Sequence, residues 1–332
     1  MIEKNTRLLY NIIRIERVGK IVMKILCIGH AAYDITVPLT EYPIENTKNR
    51  VPERIECGGG PASNAAYLLA KWNMDTYFAG IVGNDNYGNI IENEFKSVGV
   101  NIDYLEKSDE LATTSSFIIA NSSNGSRTIL TYRPKTMKMK DFDIDFEPDI
   151  ILIDGQEKDA SIKMMEKYPN AISIIDAGTA REDVVLLADM VDYVVCSKDY
   201  AETVTGIKAK YEDPDTLVRI YNTLKKKYTK NVIVTLEGNG SMYEKDGIVK
   251  IMPSIKVDTK DSTAAGDIFH GAFTYFIANG YSLLDAIHYS SITSAISRPI
   301  ASRSSGVNSS SVFLDIVESP VLLVPLSISA LP

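Results

Sequence analysis

Short β-rich runs alternate with stretches of helical apolar spacing along most of this chain, and that alternation limits the fold more than any other feature. Candidate strands cover 24–29, 76–82, 115–120, 128–132, 149–153, 172–176, 193–196 and 232–236. Candidate helices cover 61–72, 87–98, 161–167, 215–226, 266–278 and 283–297. Strands that look buried, separated by amphipathic helices, predict an α/β fold: a doubly wound, mainly parallel sheet flanked by helices on both faces. Ligands in such folds sit at the carboxyl ends of the strands. Polar residues stand at several of those ends, among them Asp154, Asp176 and Ser197. Two segments break the alternation, 35–55 and 112–133, and read as short strands joined by polar turns such as Asn121-Ser122-Ser123-Asn124-Gly125. No internal repeat or low-complexity linker divides the chain, so one continuous domain over 23–320 is expected.

The stretch richest in chemistry is Asp261-Ser262-Thr263-Ala264-Ala265-Gly266-Asp267. Asp261, Ser262 and Thr263 can each cap a helix N-terminus. Ala264, Ala265 and Gly266 then leave backbone N–H groups uncovered, and these, with the positive end of the helix dipole, favour an anion. Apolar residues follow at helical spacing (Ile268, Phe269, Ala272, Phe273, Phe276, Ile277) until Asn279-Gly280 provides a C-terminal cap. Asp267 therefore sits in the first turn, beside the anion. Like charges repel, so a carboxylate suits that place as a general base: it takes a proton from an attacking hydroxyl while the N–H groups hold charge on a transferred phosphoryl group. The plainer alternative is a capped core helix whose Asp complements the dipole.

A second motif, Cys57-Gly58-Gly59-Gly60-Pro61-Ala62-Ser63-Asn64, permits a tight strand-to-helix turn with Pro61 at the first helical position. Asn64 would stand near the helix entrance with both donor and acceptor groups, as a polyol requires. A glycine-rich turn with no ligand is the alternative. A third element, Val234-Thr235-Leu236-Glu237-Gly238-Asn239-Gly240-Ser241, follows a strand; its Asn-Gly pair also spells a hairpin turn, and both readings stand.

Together these residues resemble the ribokinase-like (PfkB) carbohydrate kinases over roughly 24–297. The 261–267 stretch is similar to the family's Asp-Thr-x-Gly-Ala-Gly-Asp signature, with Ala264 where the family usually has Gly. The resemblance implies an ATP-dependent sugar kinase in which Ala264, Ala265 and Gly266 form the anion hole and Asp267 is the catalytic base; a nucleoside kinase of the same fold and a catalytically silent sugar-binding or regulatory protein are the alternatives. It makes Gly59, Gly60 and Asn64 sugar contacts through the family's Gly-Gly-x-x-x-Asn signature. Asp34, placed at the end of the first strand, matches the sugar-binding Asp; a turn-capping carboxylate is the alternative. Thr235, Gly238 and Gly240 match a nucleotide loop, although Glu237 stands where its first Gly is usual. The family's acidic Asn-x-x-Glu motif, which positions magnesium, falls on Ser197 and Tyr200, leaving Ser197 as a nucleotide-side residue and Glu202 or Asp199 as substitutes at the metal. ATP and Mg2+ are implied as cofactors, with a monovalent cation as a further family feature. The 35–55 and 112–133 segments correspond to a small β lid, often a contact between two copies.

Other classes are excluded on simple grounds. With 43 acidic against 35 basic residues the net charge is −8, which argues against nucleic-acid binding. No Gly-x-x-x-x-Gly-Lys-Ser/Thr loop occurs, and the first strand leads into Gly29-His30-Ala31-Ala32-Tyr33 rather than Gly-x-Gly-x-x-Gly, so a P-loop enzyme and a dinucleotide-binding dehydrogenase are both disfavoured. Cys27, Cys57 and Cys196 lie far apart without metal-ligand spacing, as expected in a reducing, cytoplasmic compartment. Residues 1–22 lack the apolar core of a signal peptide and read as an extension, or as the result of an upstream start codon, before Met23. No run is long and apolar enough to span a membrane. Beyond 297 the chain departs from the family pattern: Pro299 should break the last helix, and 321–332 forms an apolar, proline-interrupted tail.

Overall fold

A computed structural model describes residues 23–51, 53–254 and 264–296 of the chain. The expectations for 1–22, for Asp261, Ser262 and Thr263, and for the segment from 297 onward lie outside the described residues.

Among these residues a nine-stranded sheet runs in the order β13-β12-β11-β10-β9-β8-β1-β4-β5. Its strands are β1 (Lys24–Ile28), β4 (Asp75–Gly83), β5 (Asn101–Ser108), β8 (Ile150–Ile153), β9 (Ile172–Ala177), β10 (Tyr193–Ser197), β11 (Asn231–Thr235), β12 (Ser241–Lys245) and β13 (Ile248–Met252). All neighbours pair in parallel except β11 with β12 and β12 with β13. The strand pleat explains how one apolar run serves two cores. Ile25 and Cys27 of β1 join Ile150 and Leu152 of β8 in one hydrophobic cluster. Leu26 and Ile28 join Ile151 and Ile153 in the other.

Helices α1 (Pro61–Lys71), α2 (Asn86–Val98), α7 (Ala265–Ala278) and α8 (Leu283–Ile296) cover the first face. The second is covered by α3 (Lys158–Lys167), α4 (Glu182–Ala188), α5 (Lys198–Thr205) and α6 (Pro214–Lys227). Local chemistry sets several of their ends. Asp85 accepts from the Gly88 N–H at 2.9 Å to open α2, and Gly99 closes it in the left-handed region at φ 85°. Ser197 accepts from the Tyr200 N–H at 3.0 Å to open α5.

A second, four-stranded sheet in the order β3-β2-β6-β7 is built from β2 (Ala32–Leu39), β3 (Ile55–Gly59), β6 (Ser115–Asn121) and β7 (Arg127–Tyr132). It is formed by the two segments that break the strand–helix alternation. One expectation needs correcting here. Asp34 does not end the first strand: β1 stops at Ile28, and Asp34 lies within β2, facing Cys57 of β3 and Ser116 of β6.

Helices α1 and α7 pack unusually closely because Gly271 has no side chain. A Cβ there would lie 3.1 Å from Ala65 Cα and 3.1 Å from Leu68 Cδ2. Trp72, also buried, meets Tyr275 edge-on at 4.9 Å between ring centroids. Replacing Gly271 with Val should therefore lower unfolding free energy by about 2 kcal/mol through overpacking. Urea denaturation checks this, and an unchanged midpoint would contradict the close approach.

Candidate active site

Two of the three motifs meet in the fold. The Gly58–Gly60 run carries β3 directly into α1: Gly59 is the last residue of the strand, and Gly60 is the N-cap at φ 103°, a conformation that suits glycine. A Cβ at Gly59 would fall 2.0 Å from Asp34 Oδ2, so the bare backbone there makes room for that carboxylate. Asn64 lies in the first turn of α1, buried, and its Nδ2 donates to Asp267 Oδ2 at 2.6 Å. The two motifs, 203 residues apart in sequence, are thus joined side chain to side chain.

Asp267 itself stands in the first turn of α7. Gly266 is exposed, and a Cβ added to it would meet no described residue within 4 Å, so among the described residues the helix tip is uncovered, as an anion site requires. Ala264 is the N-cap of α7 and adopts φ 58°, ψ 6°. This is the left-handed conformation that favours glycine, so the substitution of Ala for the family's Gly carries a conformational cost here.

The electrostatics set the carboxylates apart from ordinary surface acids. Burial pushes the Asp267 carboxyl upward, opposed by the Asn64 hydrogen bond and by the charges of His270 and Arg127. Burial also pushes Asp34 up to about 6, against the Ser116 hydrogen bond and with help from the Asp267 charge. Asp176, at the end of β9, is raised by burial to about 7 and is 3.1 Å from His270 Nδ1. Raised carboxyl pKa values are what a general base working near neutrality needs.

The partners of two residues were not anticipated from the sequence. His270, one turn beyond Asp267, has Nδ1 2.6 Å from the Gly266 carbonyl and Nε2 3.0 Å from the Val195 carbonyl, tying α7 to β10. Asp154, just past β8, accepts from the N–H groups of His30 at 2.8 Å and Ala62 at 3.2 Å, tying β1 to the start of α1. A polar residue at a strand end was the only available signal for Asp154; for His270 the signal was a lone polar residue on an apolar helix.

At the ends of β10 and β11, Ser197 and Thr235 face one another in the parallel register. The Ser197 hydroxyl donates to the Gly178 carbonyl at 2.8 Å, and Thr235 donates to the Cys196 carbonyl at 3.3 Å. Residues Glu237–Asn239 form a short 3-10 turn joining β11 to antiparallel β12, so the hairpin reading of this loop is realised. Gly238 faces open space, whereas Gly240, at φ 97°, packs where a Cβ would be 1.9 Å from the Met252 carbonyl. Gly240 is thus required by the turn itself.

The acidic substitutes do not gather. The Glu202 carboxylate is held by Lys208 Nζ at 2.6 Å and the Ala209 N–H at 2.9 Å, and Asp199 is exposed beside Lys198 at 3.7 Å. Tyr200 is fully buried, bonded to the Tyr228 hydroxyl at 2.6 Å. Among the described residues no group of three or more His, Cys, Asp or Glu could hold a metal ion.

Comparison with known proteins bears on the family and the fold. The profile of the pfkB family carbohydrate kinases matches residues 22–299. Ribokinase of Staphylococcus aureus is 26% identical over 288 residues, covering 82% of this chain and 92% of that one. A nucleoside kinase of Methanocaldococcus jannaschii is 25% identical over 268 residues, covering 78% and 85%. Against the bifunctional ribokinase/ribose-5-phosphate isomerase A of Fructilactobacillus sanfranciscensis, 24% identical, the chain spans 56% of that protein's length. Among solved structures, a ribokinase candidate from Agrobacterium tumefaciens superposes with a TM-score of 0.76 at 23% identity, covering 84% of this chain and 92% of that one. Arabidopsis thaliana ribokinase, complexed with ribose and ATP, gives 0.68 at 22%, covering 85% and 94%. At those identities the structural likeness shows the fold.

Two tests follow from the site. Ala264→Gly should raise unfolding free energy by about 0.5–1 kcal/mol by relieving the left-handed Ala, measured by denaturant titration; a loss of stability would mean the backbone there is not left-handed. Asp34 has a folded pKa near 6 against an ordinary 3.8, so its stabilising contribution is full below about pH 4 and is lost as pH rises through 6. Asp34→Asn should therefore be more stable than the native protein by about 1–2 kcal/mol at pH 8, a figure discounted because Asp34 is only part-buried, and should converge with it at pH 4. A native protein that is the more stable of the two at pH 8 would contradict the raised carboxyl.

Proposed function

The chain belongs to the pfkB family of carbohydrate kinases, and on that premise we propose that it transfers the γ-phosphate of ATP to a hydroxymethyl oxygen of a sugar or sugar derivative. The observation that carries this reading is the Asn64–Asp267 hydrogen bond of 2.6 Å, which sets a sugar-side residue against a raised carboxylate at an open helix tip. Asp34 and Asn64, with the bare backbone of Gly59 and Gly60, would orient the sugar. Asp267 removes the proton of the attacking hydroxyl as its oxygen bonds to Pγ; the bond from Pγ to the β–γ bridging oxygen breaks, and ADP leaves with that electron pair. The N–H groups of Ala264, Ala265 and Gly266 steady the charge on the transferred group. Thr235, Gly238 and Ser197, at the ends of β10 and β11, are assigned to the nucleotide, with Gly240 shaping the loop.

Mg2+ enters as part of the ATP substrate; Glu202 is too well satisfied by Lys208 and Ala209 to serve as its direct ligand. A monovalent-cation loop would fall beyond 297, outside the described residues. The second sheet is proposed as a lid, and its exposed Phe117, Ile129, Leu130 and Tyr132 suit contact with a second copy of the chain. No helix among the described residues is long and apolar enough to cross a membrane, and a cytoplasmic setting, where ATP is at hand, is part of the same proposal. A nucleoside acceptor is the second reading, favoured by the similarity to the Methanocaldococcus jannaschii nucleoside kinase.

A coupled ADP-release screen over ketoses, aldoses, ketodeoxygluconate, amino-sugar derivatives and nucleosides separates these readings. With the best acceptor, Asp267→Asn should lower kcat on the order of 100-fold or more while leaving sugar binding largely intact. Near-normal turnover in that variant would remove Asp267 as the base.

A further inference from the structure

His30 stands where the two halves of the main sheet diverge. β4 and β5 lie to one side of β1, and β8 through β13 to the other. The crevice outside the carboxyl ends of β1 and β8 is therefore the topological switch point, where open α/β sheets bind ligands. His30 lies just past the end of β1, and its backbone N–H is anchored 2.8 Å from Asp154, just past β8. A Cβ added at Gly60 would lie 2.4 Å from the His30 carbonyl oxygen and 3.2 Å from its Cδ2. The Cδ2–Nε2 edge of the ring thus runs along the same glycine turn that, through Gly59, touches Asp34.

The ring's protonation state follows from its partner. Arg133 Nη1 is 3.1 Å from His30 Nδ1. A guanidinium only donates, so Nδ1 offers a lone pair and the ring proton resides on Nε2 of a neutral imidazole. Burial, opposed by Asp154 and aided by Arg133 and Arg181, pushes the ring down to about 4, which keeps it neutral at ordinary pH. Arg133 follows the last residue of β7 and is itself fixed: its Nη2 donates to buried Glu157 at 2.9 Å and to the Met137 carbonyl at 2.9 Å. His30 Nε2, by contrast, makes no hydrogen bond to a described residue and is not among the buried unpartnered atoms, so it is open to solvent. A neutral donor, locked in one tautomer by Arg133 and accessible at the switch point, is set for an external oxygen.

We propose that His30 is a specificity-determining residue whose neutral Nε2–H donates a hydrogen bond to an acceptor oxygen of the bound sugar. Its sense is opposite to that of Asp34, which accepts from sugar hydroxyls, so the pair reads donor and acceptor positions together. Arg133, just past β7, and Glu157, just before α3, are positioning residues that hold the tautomer. The inference rests on the sugar-kinase reading above and adds the group that tells one sugar from another.

The test uses steady-state kinetics with D-ribose and with D-fructose as acceptors, together with long-range 1H–15N spectra of the native protein. His30→Ala should raise the sugar KM roughly 10–100-fold, with kcat and the KM for ATP changed less than about 3-fold. His30→Gln, whose amide nitrogen can donate from a similar place, should recover most of that loss. In the native protein His30 should show the Nε2–H tautomer, and saturating sugar, but not ATP alone, should shift its Nε2 signal. An unchanged sugar KM in His30→Ala, a protonated Nδ1, or an Nε2 signal indifferent to a sugar that the enzyme phosphorylates overturns the inference alone. A native enzyme that transfers phosphate to neither sugar, nor to any other in the acceptor screen, overturns the reading beneath it, and the inference with it.

Discussion

The Asn64–Asp267 hydrogen bond is the contact on which the site depends. Each residue sits in the first turn of its helix, and the two helices are held in close register by Gly271 packing against Ala65. A carboxylate buried without a donor would be forced neutral by desolvation. Asn64 supplies a donor at 2.6 Å, and the charges of His270 and Arg127 also favour the ionised form. Asp267 can therefore stay poised, raised by burial yet still able to carry the charge that draws a proton. The glycine turn, the α1–α7 packing and the open helix tip all act on the environment of this one group.

Several acids share the region, and that sharing has a stability cost. The Asp34 carboxyl feels the charge of Asp267, and Asp176 feels those of both Asp267 and Asp154. Burying like charges near one another opposes folding, and the strained Ala264 adds to the penalty. Large apolar cores on both faces of the sheet, fed by alternate residues of the same strands, offset it. Functional sites are where such local costs are expected to gather.

Much of this architecture was legible in the residue pattern. Strands such as β1, β8 and β10 are continuous apolar runs because both faces are covered, and α1, α2 and α7 carry their own caps or glycine ends. Helices α4 and α5 were not legible: they span 7 and 8 residues and bury few apolar side chains, too little for helical periodicity to register. β5, at the sheet edge, has no clean alternation of buried and exposed positions. The path from β1 into β2 was misread at Asp34 because a chain that leaves one sheet for another within a few residues changes nothing in composition. At the site, Asp267, Asn64 and Asp34 were marked by sequence, whereas the roles of Asp154, His270 and His30 depend on partners more than 70 residues away and appear only in three dimensions.

A crystal structure with a phosphorylatable sugar and a non-hydrolysable ATP analogue tests the central claim most directly. The account predicts an acceptor hydroxyl within hydrogen-bond reach of Asp267, with the γ-phosphate resting on the N–H groups of Ala264, Ala265 and Gly266. A γ-phosphate bound elsewhere, or an acceptor hydroxyl out of hydrogen-bond reach of the Asp267 carboxylate, would contradict it.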